Sequence, residues 1–293
     1  MLLASHVAAH KKETPMPELP EVETVRRALV PAMQGRKITA AFVGRDDLRW
    51  PLPTDLANRI TGRQVTGLDR RAKYILIRLS GDEVLLLHLG MSGSVRIHHT
   101  PPHLAKHDHV MVEMAPDATG QPAFVVFRDP RRFGWIDLFS AAAEPQHKLL
   151  AHLGPEPLGN AFSPAYLAAC LKTRTGPIKT VLLNQQLVAG LGNIYVSEAL
   201  FRAGISPRRR AASIRGARAD RLAAAIIDTL RAAIADGGTS LRDHVQPGGD
   251  IGYFVQRLAV YGRAGEPCPT CAAPVKSLVQ AGRSSFYCSR CQR

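Results

Sequence analysis

The sequence predicts an α+β protein in which a β-rich unit is followed by a helical one and closed by a small cysteine-bearing tail. Three observations carry this. Between about residues 36 and 140 the chain runs in short β-branched or alternating segments broken by Gly, Pro and Asp. Beyond about residue 160 apolar residues recur at helical spacing, and four of the five cysteines lie between positions 268 and 291. At 293 residues the chain has room for two domains with sizeable cores, at about 100 to 200 residues per domain.

The elements follow in order. "LPEVETVRRALVPAM" places Val22, Val25, Leu29 and Val30 on one helical face, with Pro20 near the first turn and Glu21 and Glu23 close behind, the marks of a helix start. The runs "KITAAFVG", "QVTGLDR", "YILIRLS", "EVLLLHLG", "SVRIHH", "HVMVEM", "AFVVFRD" and "WIDLFS" read as short strands of an antiparallel sandwich or barrel. After "HLGPEPLG" come the helical segments "SPAYLAACLKT", "PIKTVLLNQ", "GNIYVSEALFRAG" and "RADRLAAAIIDTLRAAIADGG", the last stopped by a glycine pair. A domain boundary near residues 145 to 160 results. Cys170, inside "YLAACLKTR", reads as a small buried apolar residue of its helix. A Gly- and Asp-rich loop, "QPGGDIGY", leads to the tail.

Composition narrows the function. Lys+Arg number 38 against 24 Asp+Glu, a formal charge of +14, which points to a polyanionic partner, nucleic acid first, with a basic surface kept for solubility as the alternative. No apolar run is long enough to span a bilayer, and "MLLASHVAAHKKETP" lacks the basic leader and long apolar core of a secretory signal. The expectation is a soluble, cytoplasmic protein.

The tail carries the most specific spacing. Cys268 and Cys271 form one C-x2-C pair, and Cys288 and Cys291 form a second after sixteen intervening residues. That is the template for one tetrahedral zinc held by four thiolates, with a hairpin between the knuckles. Four protein ligands leave no open position, so this zinc is structural. His98, His99, His103, His107 and His109 crowd another stretch, but no carboxylate or cysteine completes a ligand set at a recognisable interval. They read as surface or phosphate-contacting histidines.

Glycine turns supply further candidates. In "VAGLGNIYVSE", Gly190 and Gly192 precede a helix that Asn193 can N-cap, so free N–H groups could face a phosphate; an ordinary capped helix entry is the alternative. "HLGMSG" and "RDPRRFGW" set Met91 and Phe133 at turns, as core residues or, beside Arg131 and Arg132, as apolar wedges for a base stack.

In order and context, "MPELPEVETVRR", "RRAKY", "HLGMSG", "KHDH", "DPRRFG", "HLGPEPL", "GLGNIY", "GGTSLRD" and "QAGRSSFYCSRCQ" resemble bacterial formamidopyrimidine-DNA glycosylase, from Met16 to the last residue. The resemblance implies an N-terminal antiparallel β-sandwich with flanking helices, then a helical helix-two-turns-helix domain with a C-terminal zinc finger. It divides the chain into a non-native or mis-assigned extension at 1–15, a catalytic sandwich at 16–148, a DNA-binding domain with a lesion loop at 149–255, and a zinc finger at 256–293. The implied activity is removal of oxidised purines from double-stranded DNA with cleavage of the abasic site, by a monomer associated with the bacterial nucleoid.

Roles implied by the resemblance are as follows. Pro17 is the nucleophile and Glu18 the general acid and base, with Glu21 in support. Lys73 donates a proton in β-elimination and Arg283 acts in δ-elimination. His107, Arg131, Arg174 and Asn193 contact the DNA backbone, and Met91, Arg131 and Phe133 fill the gap left by the flipped lesion. "GGTSLRDHVQPGGDIGYF" corresponds to the loop over that lesion, with Arg242 where some members have lysine.

Elementary chemistry adds a condition: a terminal proline is a secondary amine able to form a cationic iminium, and an internal one is an amide. The working protein is therefore expected to start at Pro17. The alternatives are an endonuclease VIII-type enzyme for oxidised pyrimidines, which "PELPEVE" disfavours, and a non-catalytic DNA-binding relative that keeps the extension.

Overall fold

A computed structural model describes residues 16–239 and 254–293. The extension at 1–15 and Arg242 of the loop lie outside the described residues.

Helix α1, Leu19–Met33, begins where the sequence indicates, with Glu18 at its N-cap and the Glu18 N–H donating 2.9 Å to Glu21 Oε2, so Glu21 satisfies a main-chain donor left free at the helix start. Eight strands follow, β1 (Ile38–Val43) and β2 (Val65–Arg71) separated by the five-residue helix α2 (Leu56–Ile60), then β3 (Tyr74–Leu79), β4 (Glu83–His88), β5 (Ser94–His98), β6 (Asp108–Met114), β7 (Ala123–Arg128) and β8 (Trp135–Ser140). They form two antiparallel sheets, ordered β1-β6-β7-β5 and β2-β3-β4-β8. Among the described residues no strand pairs across the two, so the alternative of a barrel gives way to a sandwich.

The inner faces bury Ile75, Ile77, Leu85, Val112, Val125 and Ile136, and α1 closes the sandwich with Val22, Val25 and Leu29. Val30 is only half-buried. In β3 and β4 the expected alternation is lost, because Leu76, Val84 and Leu86 on the outer face are covered by Leu149 and Leu150.

The helical unit comprises α3 (Pro164–Leu171), α4 (Ile178–Leu182), α5 (Asn193–Arg202) and α6 (Ala217–Ala235) around a separate core. Leu19, the first residue of α1, belongs to this second core, so α1 is shared between the units. Cys170 in α3 is half-buried rather than buried, because it packs at the margin of that core.

The tail forms the hairpin β9 (Lys276–Gln280) and β10 (Arg283–Tyr287), turning through Ala281 and Gly282 with φ of 47° and 72°. Two successive left-handed residues match the twist of a tight hairpin and present Arg283 directly beyond the turn. The tail is fastened to the helical unit by Lys179 of α4, fully buried, whose Nζ donates to Ser284 O at 2.8 Å and Ser285 Oγ at 2.6 Å.

Candidate active site and metal centre

Four elements converge on one cavity of about 770 Å³: the start of α1, the β2–β3 turn, the start of α5 and the tip of the β9–β10 hairpin. Glu18, Lys73, Met91, Arg131, Asn193 and Arg283 line it. A hollow of similar size beside Arg36 and Lys37 is open and has no buried titratable group on its walls.

Glu18 is 2 % exposed. Its Oε1 accepts from the Ile194 N–H at 2.9 Å and its Oε2 from Tyr195 N–H at 3.3 Å, so the carboxylate occupies the positive end of α5. Gly192 makes this approach possible, since a Cβ there would lie 2.2 Å from Glu18 Cδ. Burial raises the Glu18 carboxyl to about 7; the nearby Lys73 ammonium opposes this, Glu21 adds to it, and the two backbone donors oppose it.

Lys73 follows Ala72, whose φ of 51° makes the turn between β2 and β3, and it is buried. Burial first and the Arg283 guanidinium next hold its ammonium below the usual lysine range, with Glu18 pulling the other way. An acid whose pKa is raised and an amine whose pKa is lowered, on the wall of one cavity, can exchange protons with a bound reactant.

Glu21 is held in place by Thr239, whose N–H and Oγ1–H each donate to Oε1 at 2.8 Å, and by the Tyr195 hydroxyl. Burial first, then the Glu21 charge, push that hydroxyl well above the ordinary tyrosine range.

Pro17 is buried immediately before Glu18 and is preceded in this chain by Met16. Asn193 is not the N-cap that the sequence indicates. Gly192 is the N-cap and Asn193 the first helical residue, with its Nδ2 donating 3.0 Å to Ser284 O and its Oδ1 buried. The expected phosphate seat at this helix end is filled by the Glu18 carboxylate, and Gly190 N–H donates to Gln185 Oε1 at 2.8 Å.

His109 is a second correction. It is buried rather than on the surface, because the register of β6 is irregular between Asp108 and Val110 and its Nε2 bonds 2.8 Å from Asp129 O. His107 is half-buried beside it, ring centroids 6.4 Å apart. Among the described residues no histidine joins a group able to hold a metal.

Phe133 is 38 % exposed, with the Arg131 guanidinium 4.9 Å from its ring centroid, and Met91 is half-buried at the cavity wall. Phe133, His107 and Arg174 lie outside the cavity lining, and Arg174 is exposed on the turn after α3.

Sequence reasoning missed His88, Tyr74 and Tyr261, all on the cavity wall. His88 is pushed to about 4 by burial, Lys73 and Arg49, so it is neutral; Nδ1 accepts from Gly90 N–H at 3.1 Å, which leaves Nε2–H as a donor. Its place in "HLGMSG", three residues before Met91 at the end of a strand, was the available signal.

In the tail, the sulfurs of Cys268, Cys271, Cys288 and Cys291 all lie within 4.8 Å of one another, with Cys268–Cys291 at 3.8 Å and Cys271–Cys288 at 3.4 Å. Tetrahedral zinc with bonds of about 2.3 Å requires sulfurs about 3.8 Å apart, which these residues fit. The Cys288 knuckle is closed by its N–H donating 2.8 Å to Gln292 Oε1. The four thiolates form one structural zinc site with no place for a substrate.

Comparison with known proteins covers nearly the whole chain. Residues 16–136 match the family model of the formamidopyrimidine-DNA glycosylase N-terminal domain, 153–245 its H2TH domain, and 265–293 the zinc finger found in FPG and IleRS. Formamidopyrimidine-DNA glycosylase of Jannaschia sp. is 54 % identical over 288 residues, covering 95 % of this chain and all of that protein. The crystal structure of MutM (Fpg) from Thermus thermophilus superposes with a TM-score of 0.83 at 40 % identity, covering 94 % of this chain and 98 % of the other. Wild-type Lactococcus lactis Fpg in complex with DNA containing N7-benzyl-Fapy-dG gives 0.85 at 35 % identity, covering 94 % and 100 %.

Proposed function

Because the chain belongs to the formamidopyrimidine-DNA glycosylase family and is a DNA glycosylase, we propose that it excises oxidised purines from double-stranded DNA and then cleaves the strand at the abasic site. The observation that carries this reading is the buried Glu18–Lys73 pair on the wall of the cavity, which Arg283 also lines, with Pro17 the residue before Glu18. The Fapy-dG ligand of the L. lactis relative supports a purine-derived substrate.

In this reading the Pro17 amine, once free, attacks C1′ of the damaged nucleotide. Glu18, whose carboxyl burial raises to about 7, gives a proton to the departing groups at C1′ as the base leaves and the sugar ring opens. The product is a cationic iminium, whose electron-withdrawing pull makes the C2′ proton acidic. The Glu18 carboxylate, having given up its proton, takes this one as the C2′–C3′ double bond forms and the 3′ phosphate leaves, with Lys73 supplying a proton to the departing phosphate, and Arg283 assists loss of the second phosphate. Glu21 and its donors fix the helix start on which Pro17 and Glu18 stand.

Met91, Arg131 and Phe133 enter the stack vacated by the lesion, and His107, Arg131, Arg174 and Asn193 hold phosphates. Division into 16–148, 149–255 and 256–293 is supported by separate cores in sandwich, helical unit and tail. We also assign the protein as a monomer working on cytoplasmic DNA; among the described residues no helix is long and apolar enough to cross a membrane.

The amine requirement makes residues 1–15, and Met16 after them, absent from the working protein, a reading supported by the family match starting at residue 16. Protein beginning at Pro17 is expected to nick duplex DNA containing 8-oxoguanine and to be trapped on it by borohydride. A species whose intact mass retains Met1 should bind that DNA without trapping; equal trapping by it removes Pro17 as the nucleophile.

A further inference from the structure

Asp129 stands at the end of β7, outside the cavity lining, yet it is fully buried. Its Oδ1 accepts from Ser92 Oγ–H at 2.5 Å and its Oδ2 from Gly134 N–H at 2.7 Å. Ser92 lies in the turn that carries Met91, and Gly134 ends the turn that carries Arg131 and Phe133. Ser92 Oγ also accepts from Arg131 N–H at 3.0 Å, so one carboxylate and one hydroxyl join the two turns.

The main chain of Asp129 extends the joint to a third element. Its N–H donates to His107 O at 3.0 Å, and its carbonyl accepts from His109 Nε2 at 2.8 Å. Among the described residues no cation forms an ion pair with the carboxylate, so it is held by hydrogen bonds alone. Steric fit tightens the assembly: a Cβ on Gly90 would lie 2.3 Å from the Phe133 carbonyl carbon, and one on Gly134 would lie 2.9 Å from Asp129 Oδ2.

A side chain that holds open a base stack works against an unstacking cost of a few kcal/mol per step. A wedge on a loose turn would yield before the duplex did. We propose that Asp129 is the positioning residue that locks the Met91 turn and the Arg131–Phe133 turn into one rigid wedge, so that extrusion of the lesion depends on it and the chemistry on the extruded nucleotide does not. This rests on the wedge role of Met91, Arg131 and Phe133 given above.

Asp129→Ala leaves the Gly134 N–H and the Ser92 hydroxyl without their buried acceptor, a loss that corresponds to about 10- to 100-fold in the step it serves. The test uses protein beginning at Pro17, two duplexes and the variants Asp129→Ala, Asp129→Asn, Phe133→Ala and Asp129→Ala/Phe133→Ala. One duplex carries 8-oxoguanine paired with cytosine and a neighbouring 2-aminopurine whose fluorescence reports unstacking; the other carries a preformed abasic site, with no base to extrude.

The expected result is loss of the 2-aminopurine signal and about 10- to 100-fold slower excision of the paired lesion by Asp129→Ala. Cleavage at the abasic site should stay within about threefold of wild type, since a step that needs no extrusion gains little from the wedge. Asp129→Asn, which keeps an acceptor for Gly134, should recover part of the loss. The double variant should be no slower than Asp129→Ala, because loosening both turns already disables the wedge to which Phe133 belongs.

Wild-type excision by Asp129→Ala alongside an impaired Phe133→Ala would overturn the inference and leave the wedge standing. Equal losses on both duplexes would reduce Asp129 to a general stabiliser and overturn it too. A silent Phe133→Ala would remove the wedge reading itself, and the inference with it.

Discussion

Replacing Gly192 with alanine perturbs the acid without touching a titratable group. Gly192 has an extended backbone, φ −136°, that any residue adopts, so the change is opposed by space alone. The new Cβ would fall 2.2 Å from Glu18 Cδ and 2.4 Å from Oε1, and ordinary contact at 3.4 Å requires the carboxyl to retreat by about 1.2 Å. Its oxygens now sit 2.9 and 3.3 Å from the Ile194 and Tyr195 nitrogens, and that retreat takes both bonds out of reach. Two bonds to an ionisable group, at roughly 1.5 kcal/mol each, imply about 3 kcal/mol of lost stability. A misplacement of about 1 Å at a reacting group implies about 100-fold slower chemistry. Thermal melts and single-turnover base release on protein beginning at Pro17 measure the two effects separately. A variant with wild-type melting temperature and rate would show that Glu18 does not need its seat on α5, and the account of the site would fail.

Two further outcomes follow from the same geometry. Burial raises the Glu18 carboxyl from 4.5 to about 7 in the folded chain, so the folded state binds the proton more tightly than the unfolded state. Its contribution is fully present below pH 4.5 and is lost as pH rises toward 7; relative to Glu18→Gln, wild-type stability in denaturant titrations should fall across that window by no more than about 3 kcal/mol, and a rise would contradict the burial argument. Removing zinc by chelation, or Cys268→Ser, should disorder the hairpin that carries Arg283 and weaken DNA binding by at least about tenfold, since metal binding is folding energy for such a tail. The sandwich should keep its hydrogen-exchange protection; active, metal-free protein with its cysteines in disulfides would contradict the zinc assignment.

The sandwich strands were legible because the alternating run "SVRIHH" and the short apolar run "AFVVFRD" sit between turn residues, and the zinc because its ligands come in two short knuckles. Helix α2 was not, since five residues give too little periodicity to count. The architecture of the acid was hidden for a different reason. Glu18 meets Ile194 across 176 positions and Glu21 meets Thr239 across 218, distances over which local pattern carries no signal. The Asn193 cap was misread for the same reason: "GLGN" does advertise a helix start, but a carboxylate from the other end of the chain takes the donors that Asn193 was expected to serve. His109 was misplaced because the contact that buries it, to the carbonyl of Asp129, spans 20 positions.

Helix α1 places Leu19 in the core of the helical unit and Val22, Val25 and Leu29 in that of the sandwich. The two units therefore cannot be inherited as interchangeable parts. A chimera joined in the linker near residue 150 would take α1 from one parent and α5 from the other, and the interlock of Leu19 with Gly190 and of Glu18 with Gly192 leaves no tolerance for a mismatched partner. Recombination among relatives should succeed only where the start of α1 travels with the α5 it caps. A change at either helix start is therefore a change to one shared joint, although the architecture is built in pieces.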